Sequence, residues 1–308
     1  VYMVNNKTMT IEPGTVIKGS FSGSDVAALI ITRGSKIVAQ GTATEPIIFT
    51  SLSPNPASGD WGGIVLCGKA SINTSFNGIT GLYQCEGGID NANGDGLAGS
   101  GDAVAPTPDD NDNSGVLSYV RIEYAGYAYQ PDKEINSLTM AAVGRGTTIN
   151  NVQVTYAKDD AYEWFGGTVN CKYLIAFKTQ DDDFDTDNGF SGKVQFGIIF
   201  RDSVIADISR SEAFESDNNA SGTTATPVTK AIFSNVTAIG PRATLNNVGN
   251  SLYRCAAHIR RNTGISIFNS IILGWPRGIE IDATTGRSTM LNVEDSTIRL
   301  MNNTLAGN

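Results

Sequence analysis

The 308-residue sequence is poor in histidine and in positive charge, and both scarcities exclude kinds of function. Its only histidine is His258, and 22 lysines and arginines stand against 31 aspartates and glutamates, which gives a formal net charge of −9. The basic residues form no run, so we expect no phosphate-tracking surface and no nucleic-acid partner. With one histidine and no plausible serine or cysteine partner for it, a nucleophilic triad is poorly supported.

Long apolar runs are also lacking. No stretch approaches the roughly 20 apolar residues that a membrane-spanning helix needs, so we expect a chain that does not span a membrane. The sequence begins at Val1 without a signal peptide and both ends read as parts of a repeat, from which we expect a piece of a longer polypeptide. With 40% hydrophobic residues and no long linker, one elongated domain over residues 1–308 is expected.

The cysteines lack the spacing of known cysteine motifs. They are Cys67, Cys85, Cys171 and Cys255. No CxxC pair occurs, which argues against a zinc site and a thioredoxin-type motif. Cys67 and Cys85 flank the start of an irregular insertion, and the sequence leaves open whether a disulfide joins them. Cys171 and Cys255 can equally be small buried hydrophobic residues.

What the sequence does contain is a short pattern that recurs between residues 151 and 218. Its copies begin at Tyr162-Glu163-Trp164, Phe184-Asp185-Thr186 and Phe214-Glu215-Ser216, with spacings of 22 and 30 residues. The register extends to neighbouring positions: Val152, Leu174 and Phe196 are each 22 apart, as are Val154, Ala176 and Ile198. A period in the low twenties, built from short β-type runs that end in Gly, Asn or Asp, is typical of a β-solenoid.

The same organisation extends towards the start of the chain. Residues 10–17 align with residues 30–37 at a spacing of 20, and each run turns at a glycine. No helical period competes with these strands. The sequence therefore predicts an all-β fold, a right-handed parallel β-helix of about 22 residues per coil, whose coils stack at about 4.8 Å.

The period breaks between residues 71 and 114, in a segment rich in Gly, Asp, Asn and Ser. Insertions in repeat proteins leave as loops on one flank, where they often shape a binding surface. Asp110, Asp112 and Ser114 follow the opening of a D-x-[DN]-x-[DN]-G calcium loop, and residues 91–95 resemble a second one. Neither has the bidentate glutamate of an EF-hand. Calcium at Asp110, Asp112 and Ser114 is thus one interpretation, and ordinary Asx turns are the other.

Five runs resemble a family of exported right-handed parallel β-helix proteins with a pectin-lyase-like fold. They are Ile11–Gly19, Ala28–Ile37, Gly59–Ile64, Gly115–Gly126 and Phe214–Asn218. That family occurs largely in Bacteroidetes and other gram-negative bacteria, as cell-surface lipoproteins or secreted proteins. The resemblance covers essentially the whole chain and implies an extracellular or outer cell-surface location. It implies no established reaction.

The recurring pattern also carries carboxylates. If the coils stack in register, Glu163, Asp185 and Glu215 form a column about 5 Å apart, with Asp187 and Asp217 beside it. Like charges at this distance cost about 1 kcal/mol per pair in water, and about 3 to 4 kcal/mol at an effective dielectric near 20. Exposure, arginine pairing or a bound cation would relieve this repulsion.

A fourth, altered copy of the pattern is expected at residues 258–262. A spacing of 44 residues aligns His258 with Phe214, so that the histidine would pack where the phenylalanines pack. The same spacing aligns Arg261 with Asp217. The column of carboxylates would then end on Arg260 and Arg261.

Three interpretations of these residues follow. In a calcium-assisted polysaccharide lyase, the carboxylates would hold calcium against a uronate and Arg260 or Arg261 would remove the α-proton. In an inverting hydrolase, residues 159–160 and 181–183 would supply an acid and a base, but the accompanying motifs of β-helix polygalacturonases are absent. In the third, Asp and Asn only cap turns at the coil corners.

Aromatic residues add a candidate sugar-binding surface. Tyr162, Phe184 and Phe214 are predicted to stack inside the helix, because aromatics at the coil period usually do so. Trp164 lies two residues after Tyr162, and we interpret it as sharing the side of the carboxylates.

The sequence therefore favours a non-enzymatic cell-surface or secreted module that binds a glycan or another cell-envelope component, with calcium as its possible cofactor. The candidate ligand-binding residues are Glu163, Trp164, Asp185, Asp187, Glu215 and Asp217. Two alternatives stay open. One is the calcium-assisted lyase on an acidic polysaccharide, and the other is a structural stalk or filament subunit that self-assembles.

Overall fold

The computed structural model describes residues 1–21, 26–130, 133–242, 244, 246 and 249–307. In this part of the chain the structure is almost entirely β. The strands before the insertion are β1 (Tyr2–Met3), β2 (Thr8–Ile11), β3 (Val16–Gly19), β4 (Ala28–Ile31), β5 (Lys36–Gln40), β6 (Ile47–Ser51) and β7 (Gly63–Cys67). The insertion contains β8 (Ser75–Phe76), β9 (Ile79–Thr80), β10 (Leu82–Gln84) and β11 (Leu97–Gly99).

The remaining strands follow the insertion. They are β12 (Gly115–Glu123), β13 (Ala128–Gln130), β14 (Lys133–Glu134), β15 (Leu138–Ala141), β16 (Thr148–Thr155), β17 (Tyr162–Phe165), β18 (Asn170–Phe177), β19 (Phe184–Asp187) and β20 (Lys193–Phe200). After these come β21 (Phe214–Ser216), β22 (Ile232–Ile239), β23 (Ala257–Ile259), β24 (Ser266–Phe268), β25 (Ile271–Leu273), β26 (Ile279–Ile281), β27 (Arg299–Met301) and β28 (Thr304–Ala306). One short helix, α1 (Met290–Glu294), precedes β27.

Two parallel sheets run along the molecule. A nine-stranded sheet, here called sheet 1, has the order β1-β4-β7-β15-β17-β19-β21-β23-β26. A thirteen-stranded sheet, sheet 2, has the path β2-β5-β12-β16-β18-β20-β22-β24-β27. Each coil gives a strand to both sheets, and the ladders between coils are parallel. The prediction of a right-handed parallel β-helix is confirmed.

The core lies between the sheets and is built by period-2 alternation. In β17, Tyr162 and Trp164 point inwards while Glu163 lies on the opposite face. The predicted internal stack is present: the ring centroids of Tyr162 and Phe184 are 5.6 Å apart and those of Phe184 and Phe214 are 5.8 Å apart. Buried aliphatic and aromatic residues continue this core from Leu29 to Ile298. Burial of this apolar interior is the main term that holds the coils together.

The predicted 22-residue register is wrong for one coil. Leu174 pairs with Gly197, not with Phe196, because the step from Cys171 to Val194 is 23 residues. Phe196 instead takes the left-handed conformation, with φ 63°, at a bend within β20. Its ring stacks on Tyr173 at 5.1 Å on the outer surface. The extra residue thus moves an apolar side chain from the expected core position to the surface.

The insertion folds against the outer face of sheet 1. β8 and β9 form one antiparallel ladder and β10 and β11 another. A second apolar cluster lies beneath them, in which the ring of Tyr83 contacts that of Phe165 at 4.8 Å. Cys67 and Cys85 are in this cluster as free thiols, with their Sγ atoms 3.8 Å apart.

Candidate functional site

Beyond the insertion, the outer face of sheet 1 carries the predicted column of carboxylates. Glu163 pairs in register with Asp185, and Asp185 with Glu215. The next member is His258, followed by Glu280. The expected alignment of His258 with Phe214 is wrong, because Phe214 pairs with Ala257 at a spacing of 43 residues. The histidine therefore belongs to the charged column.

A second column lies two residues further along each strand. Phe165 pairs with Asp187. The ladder continues through backbone N–H groups: that of Asp217 donates to Thr186 O at 3.0 Å, and that of Arg260 donates to Ser216 O at 3.0 Å. Arg260, rather than Arg261, therefore follows Asp217. The second column therefore changes from acidic to basic residues between Asp217 and Arg260.

A third set of acids stands at the corner that leads into sheet 1. The backbone N–H of Asp160 donates to Asn136 Oδ1 at 3.2 Å, and that of Asp182 donates to Asp160 Oδ1 at 2.8 Å. The N–H of Glu212 in turn donates to Asp182 Oδ1 at 2.5 Å. Each acid thus caps the turn of the next coil, as the turn interpretation requires. Only one oxygen of Asp160 and of Asp182 is used in this ladder.

Asp160 and Asp182 of this corner and Glu163, Asp185 and Glu215 of the first column line one cleft of about 690 Å³. Two further carboxylates come from the insertion, at Glu86, and from strand β14, at Glu134. The carboxylates of the cleft are Glu86, Glu134, Asp159, Asp160, Glu163, Asp181, Asp182, Asp185, Asp207 and Glu215. Its basic residues are Lys158, Arg260 and Arg261. The cleft therefore has a strongly negative floor.

Burial and mutual repulsion act together on these acids. Burial raises the pKa of Asp160 well above its usual range, and the charges of Asp159 and Asp185 add to the effect. The pKa of Glu163 is raised by burial and then by Asp185. For Asp185 itself, burial and the nearby Glu215 raise the pKa in the same direction. A positive charge placed among these groups would lower all of these pKa values.

Arg260 and Arg261 lie at one end of the cleft and pair with carboxylates there. Arg260 donates from Nη2 to Glu215, and its Nε is 2.9 Å from Asp217 Oδ1. Arg261 Nη1 is 2.7 Å from Asp217 Oδ2. Burial opposes the charge of Arg260, but the carboxylates of Glu215 and Asp217 outweigh it and raise the pKa of the guanidinium. A guanidinium fixed in this way is a poor base, because it must lose a proton to act as one.

His258 is enclosed by acids at the same end. Its side chain is buried, with Nδ1 3.4 Å from Glu215 Oε1 and 3.8 Å from Glu212 Oε1. On the other side, Nε2 is 3.4 Å from Asp282 Oδ2. Burial alone would raise the pKa of Glu215, but the hydrogen bond with His258 and the charge of Arg260 bring it below its usual range. Glu215 therefore carries a charge in the column.

The middle of the cleft has the donor set of a hard cation. Asp160, Glu163 and Asp185 each offer an oxygen, and these atoms lie within 4.8 Å of one another. Calcium binds oxygens at about 2.3–2.6 Å, so two oxygens on opposite sides of one ion are up to about 5 Å apart. Oδ1 of Asp185 is buried and has no hydrogen-bond partner among the described residues. Asp159, Asp160 and Asp181 form an adjoining group with the same spacing.

The other predicted site residues lie elsewhere. Trp164 is wrongly placed by the sequence argument: its side chain is fully buried in the core, stacked on Phe190 at 5.3 Å. An even step of two residues keeps it on the inner face with Tyr162, opposite the carboxylates.

The predicted calcium residues of the insertion make hydrogen bonds to distant parts of the chain. Asp110 Oδ1 accepts the backbone N–H of Ser71 at 2.9 Å, and Asp112 Oδ2 accepts that of Lys69 at 3.3 Å. The N–H of Ser114 donates to Thr147 Oγ1 at 2.8 Å. These bonds join residues 33 to 43 apart in sequence, so they are not Asx turns, which are local. Calcium at this position stays a prediction.

The sequence predicts the central column of the cleft but not the residues that complete it. These residues lie in segments outside the repeat, so no periodicity marks them: Glu86, Glu134 and Asn136. Asp159 and Asp181 were visible as part of a repeated Asp-Asp pair 22 residues apart. That repeated pair indicates the row of hydrogen-bonded acids at the corner that leads into sheet 1.

The fold and the cleft together define a parallel β-helix with a polar cleft on one sheet. The chain belongs to the family of pectate-lyase-like beta helix domains, whose family model matches residues 1–307. No curated protein and no solved structure is found to match it. Within the described residues, no helix is long and apolar enough to cross a membrane.

Proposed function

We propose that this chain is a non-enzymatic, extracellular or cell-surface module that binds an acidic glycan through divalent cations held in the cleft of sheet 1. Calcium is the cation that the donor set favours, since every ligand is an oxygen and the geometry is open. The family supports a carbohydrate-related role. The observation that carries the proposal is the grouping of Asp160, Glu163 and Asp185 around one point.

The charges of the cleft determine which ligands it can bind. A polyanion cannot approach this many carboxylates directly, because the repulsion between like charges is strong in a partly dehydrated site. Cations bound to the floor would reverse that sign and bridge to uronate carboxylates. Arg261, whose side chain is 31% exposed, provides a positive group at the end of the cleft. The bound ligand would therefore contact cations in the middle and arginine at one end.

The contacts of Arg260 favour binding over elimination. A lyase needs a base that can give up its proton near neutral pH, and Arg260 is bound to two carboxylates that stabilise its charge. The same contacts occupy the guanidinium of Arg260 at the end of the cleft. Binding without turnover is the function that this arrangement supports best.

Native gel electrophoresis in polygalacturonate, with calcium or with EDTA, tests the proposal. Retardation that needs calcium is expected, and Glu163→Gln should weaken it because one cation ligand is lost. Lys193→Ala, a change on the other sheet, serves as the control. Equal mobility with calcium and with EDTA would contradict the proposal.

A parallel assay follows the absorbance of the unsaturated product that a lyase would release from the same polymer. We expect no increase with the wild-type protein. Product formation that is lost in Arg260→Ala or Arg261→Ala would replace the binding proposal by the lyase.

A further inference from the structure

A second concave surface lies on sheet 2, away from the acidic cleft. It is a groove of about 490 Å³ on the outside of the bend in strands β12, β16, β18, β20 and β22. The bend residue of each strand is in the left-handed conformation: Tyr119, Asn151, Tyr173, Phe196 and Asn235 have φ between 50° and 63°. The ladders place them in one column, because the residues on either side of each pair in register.

The residue types in this column are unusual for their backbone conformation. Asparagine tolerates the left-handed region, whereas bulky aromatic residues are disfavoured there. Beyond the groove the column continues as Asn269 and Asn302, with φ 51° and 58°. The aromatic residues Tyr119, Tyr173 and Phe196 occur where the column lines the groove. Tyr124 and Tyr156 are also left-handed and stack on each other outside the groove, so the backbone conformation alone does not mark a site. What distinguishes Tyr119, Tyr173 and Phe196 is that their rings line a concave surface.

The spacing of the aromatic rings leaves a slot. Tyr173 and Phe196 are in adjacent coils and stack on each other, with centroids 5.1 Å apart and planes inclined by 10°. Tyr119 and Tyr173 are two coils apart, with the smaller Asn151 between them. Two coil steps amount to about 9.6 Å. A ring held between two others needs about 7–8 Å, twice the contact distance of carbon atoms, so the slot has room for one ring.

The lining around the slot is mostly apolar and almost uncharged. Arg121 is the only charged residue of the lining, and its Nη2 is 2.5 Å from Glu123 Oε1. The Nε of Arg121 is buried without a hydrogen-bond partner in the described structure. Gln153 and Thr237 add an amide and a hydroxyl. The molecule as a whole is acidic, with a net charge of −9, but no carboxylate lines this groove. The groove therefore suits an uncharged polymer better than a cationic one.

We infer that this groove is a second binding site, for a neutral glycan, with one pyranose ring held between Tyr119 and Tyr173 over Asn151. A pyranose has apolar C–H faces that pack on aromatic rings and hydroxyl groups at its edge that bond amides and guanidinium N–H groups. The groove supplies both kinds of contact along five strands. The site needs no cation and does not depend on the function proposed for the acidic cleft.

Asn151→Phe is the most direct test, because the new ring would occupy the slot between Tyr119 and Tyr173. The column already contains stacked aromatic rings, so the fold should tolerate the change. Asn269→Phe is the matched control: it adds the same ring at the same φ, in a coil outside the groove. Tyr173→Ala removes one wall. Melting temperatures of all variants establish that they are folded.

Native gels that contain hydroxyethyl cellulose, xyloglucan or galactomannan, all with EDTA, report binding of neutral glycans. We expect retardation of the wild-type protein by at least one of these polymers. Asn151→Phe and Tyr173→Ala should weaken the affinity at least about tenfold, whereas Asn269→Phe should bind like the wild type. EDTA keeps any cation-dependent binding in the cleft out of this measurement.

Two results would overturn the inference. One is a wild-type protein that none of the three polymers retards, and the other is Asn151→Phe binding as tightly as the wild type. Light scattering addresses the competing occupant, a second copy of the chain. A wild-type dimer that Asn151→Phe converts to a monomer would assign the groove to self-association instead.

Discussion

Arg260 follows Asp217 by one coil of sheet 1, and its Nε lies 2.9 Å from Asp217 Oδ1. The same guanidinium also binds Glu215. One side chain thereby balances two acids of the same coil, and a third contact from Arg261 reinforces the pair. Arginine thus relieves the repulsion between carboxylates at this end of the cleft, whereas the described residues place no ion pair on Asp160, Glu163 or Asp185.

Arg260→Ala should destabilise the fold by about 2–3 kcal/mol, because it leaves two largely buried carboxylates without their main cation. Chemical denaturation at pH 7 measures the change. Arg277→Ala is the control, since its side chain is 63% exposed and its pairing with Glu280 should contribute less than about 1 kcal/mol. Equal effects of the two substitutions would show that the buried network does not stabilise the coil.

The cation-free protein should lose stability as the pH rises. Burial, followed by the charge of Asp217, raises the pKa of Asp187 to about 7, and burial with Glu215 raises that of Glu212 to about 7. A carboxyl with a folded-state pKa above its unfolded value favours folding while protonated, so its contribution is lost as the pH rises through the folded value. In EDTA the melting temperature is expected to fall between pH 4.5 and pH 7.

Calcium should reverse that trend. A cation bound only by the folded state raises the melting temperature with its concentration, and it does so more at pH 8 than at pH 5, where protons compete for the carboxylates. Scanning calorimetry at both pH values with calcium or EDTA makes the comparison. A melting temperature that calcium leaves unchanged at pH 8 would exclude a calcium site in the cleft.

Asp185→Asn separates repulsion from ligation. The change removes a charge from an acid whose Oδ1 has no partner in the described structure, so it should stabilise the protein in EDTA by about 1–3 kcal/mol at pH 8. It should also weaken the stabilisation by calcium. Asp60→Asn is the control, because Asp60 does not line the cleft and its Oδ2 accepts hydrogen bonds from Ser51 and Ala57. A destabilised Asp185→Asn in EDTA would contradict the repulsion argument.

The sequence was sufficient for the fold because periodicity is a local signal that every coil repeats. The spacing of the aromatic residues predicts which strands pair: Tyr162, Phe184 and Phe214. The same pairing aligns the carboxylates that follow each of them by one residue. The errors came from single-residue steps: a 23-residue coil displaced Phe196, and a 43-residue spacing put His258 among the acids. Side-chain direction in a strand depends on odd or even position, so such a step exchanges core and surface.

The cleft itself was harder to predict, since its walls come from segments without a period. Glu86 lies in the insertion and Glu134 in the short hairpin before β15, and both reach the cleft through tertiary folding. The pairing of Arg33 with Asp102, at 2.7 Å, shows the same limitation. Asp102 is the twelfth residue counted from Asn91, which is the position of the last ligand in a calcium loop, but an arginine 69 residues earlier binds its carboxylate.

The thiols of Cys67 and Cys85 provide the last prediction. Their Sγ atoms are 3.8 Å apart inside the cluster that holds the insertion on sheet 1. The contact with Cys67 and burial both raise the pKa of Cys85 well above its usual range, so the reactive thiolate is scarce. Oxidation should therefore be slow, but the bridge that it forms would join residues 18 apart and stabilise the fold by about 3 kcal/mol.

Thiol titration of the denatured protein, before and after incubation with an oxidant, follows this reaction. Two of the four thiols should be lost, with Cys171 and Cys255 remaining, since the described residues bring no second thiol into contact with either of them. Peptide mapping under non-reducing conditions identifies the linked pair, and Cys67→Ser should retain three thiols. Four free thiols in oxidised wild-type protein would show that packing keeps the two sulfur atoms apart, and that the insertion is held on sheet 1 without a disulfide.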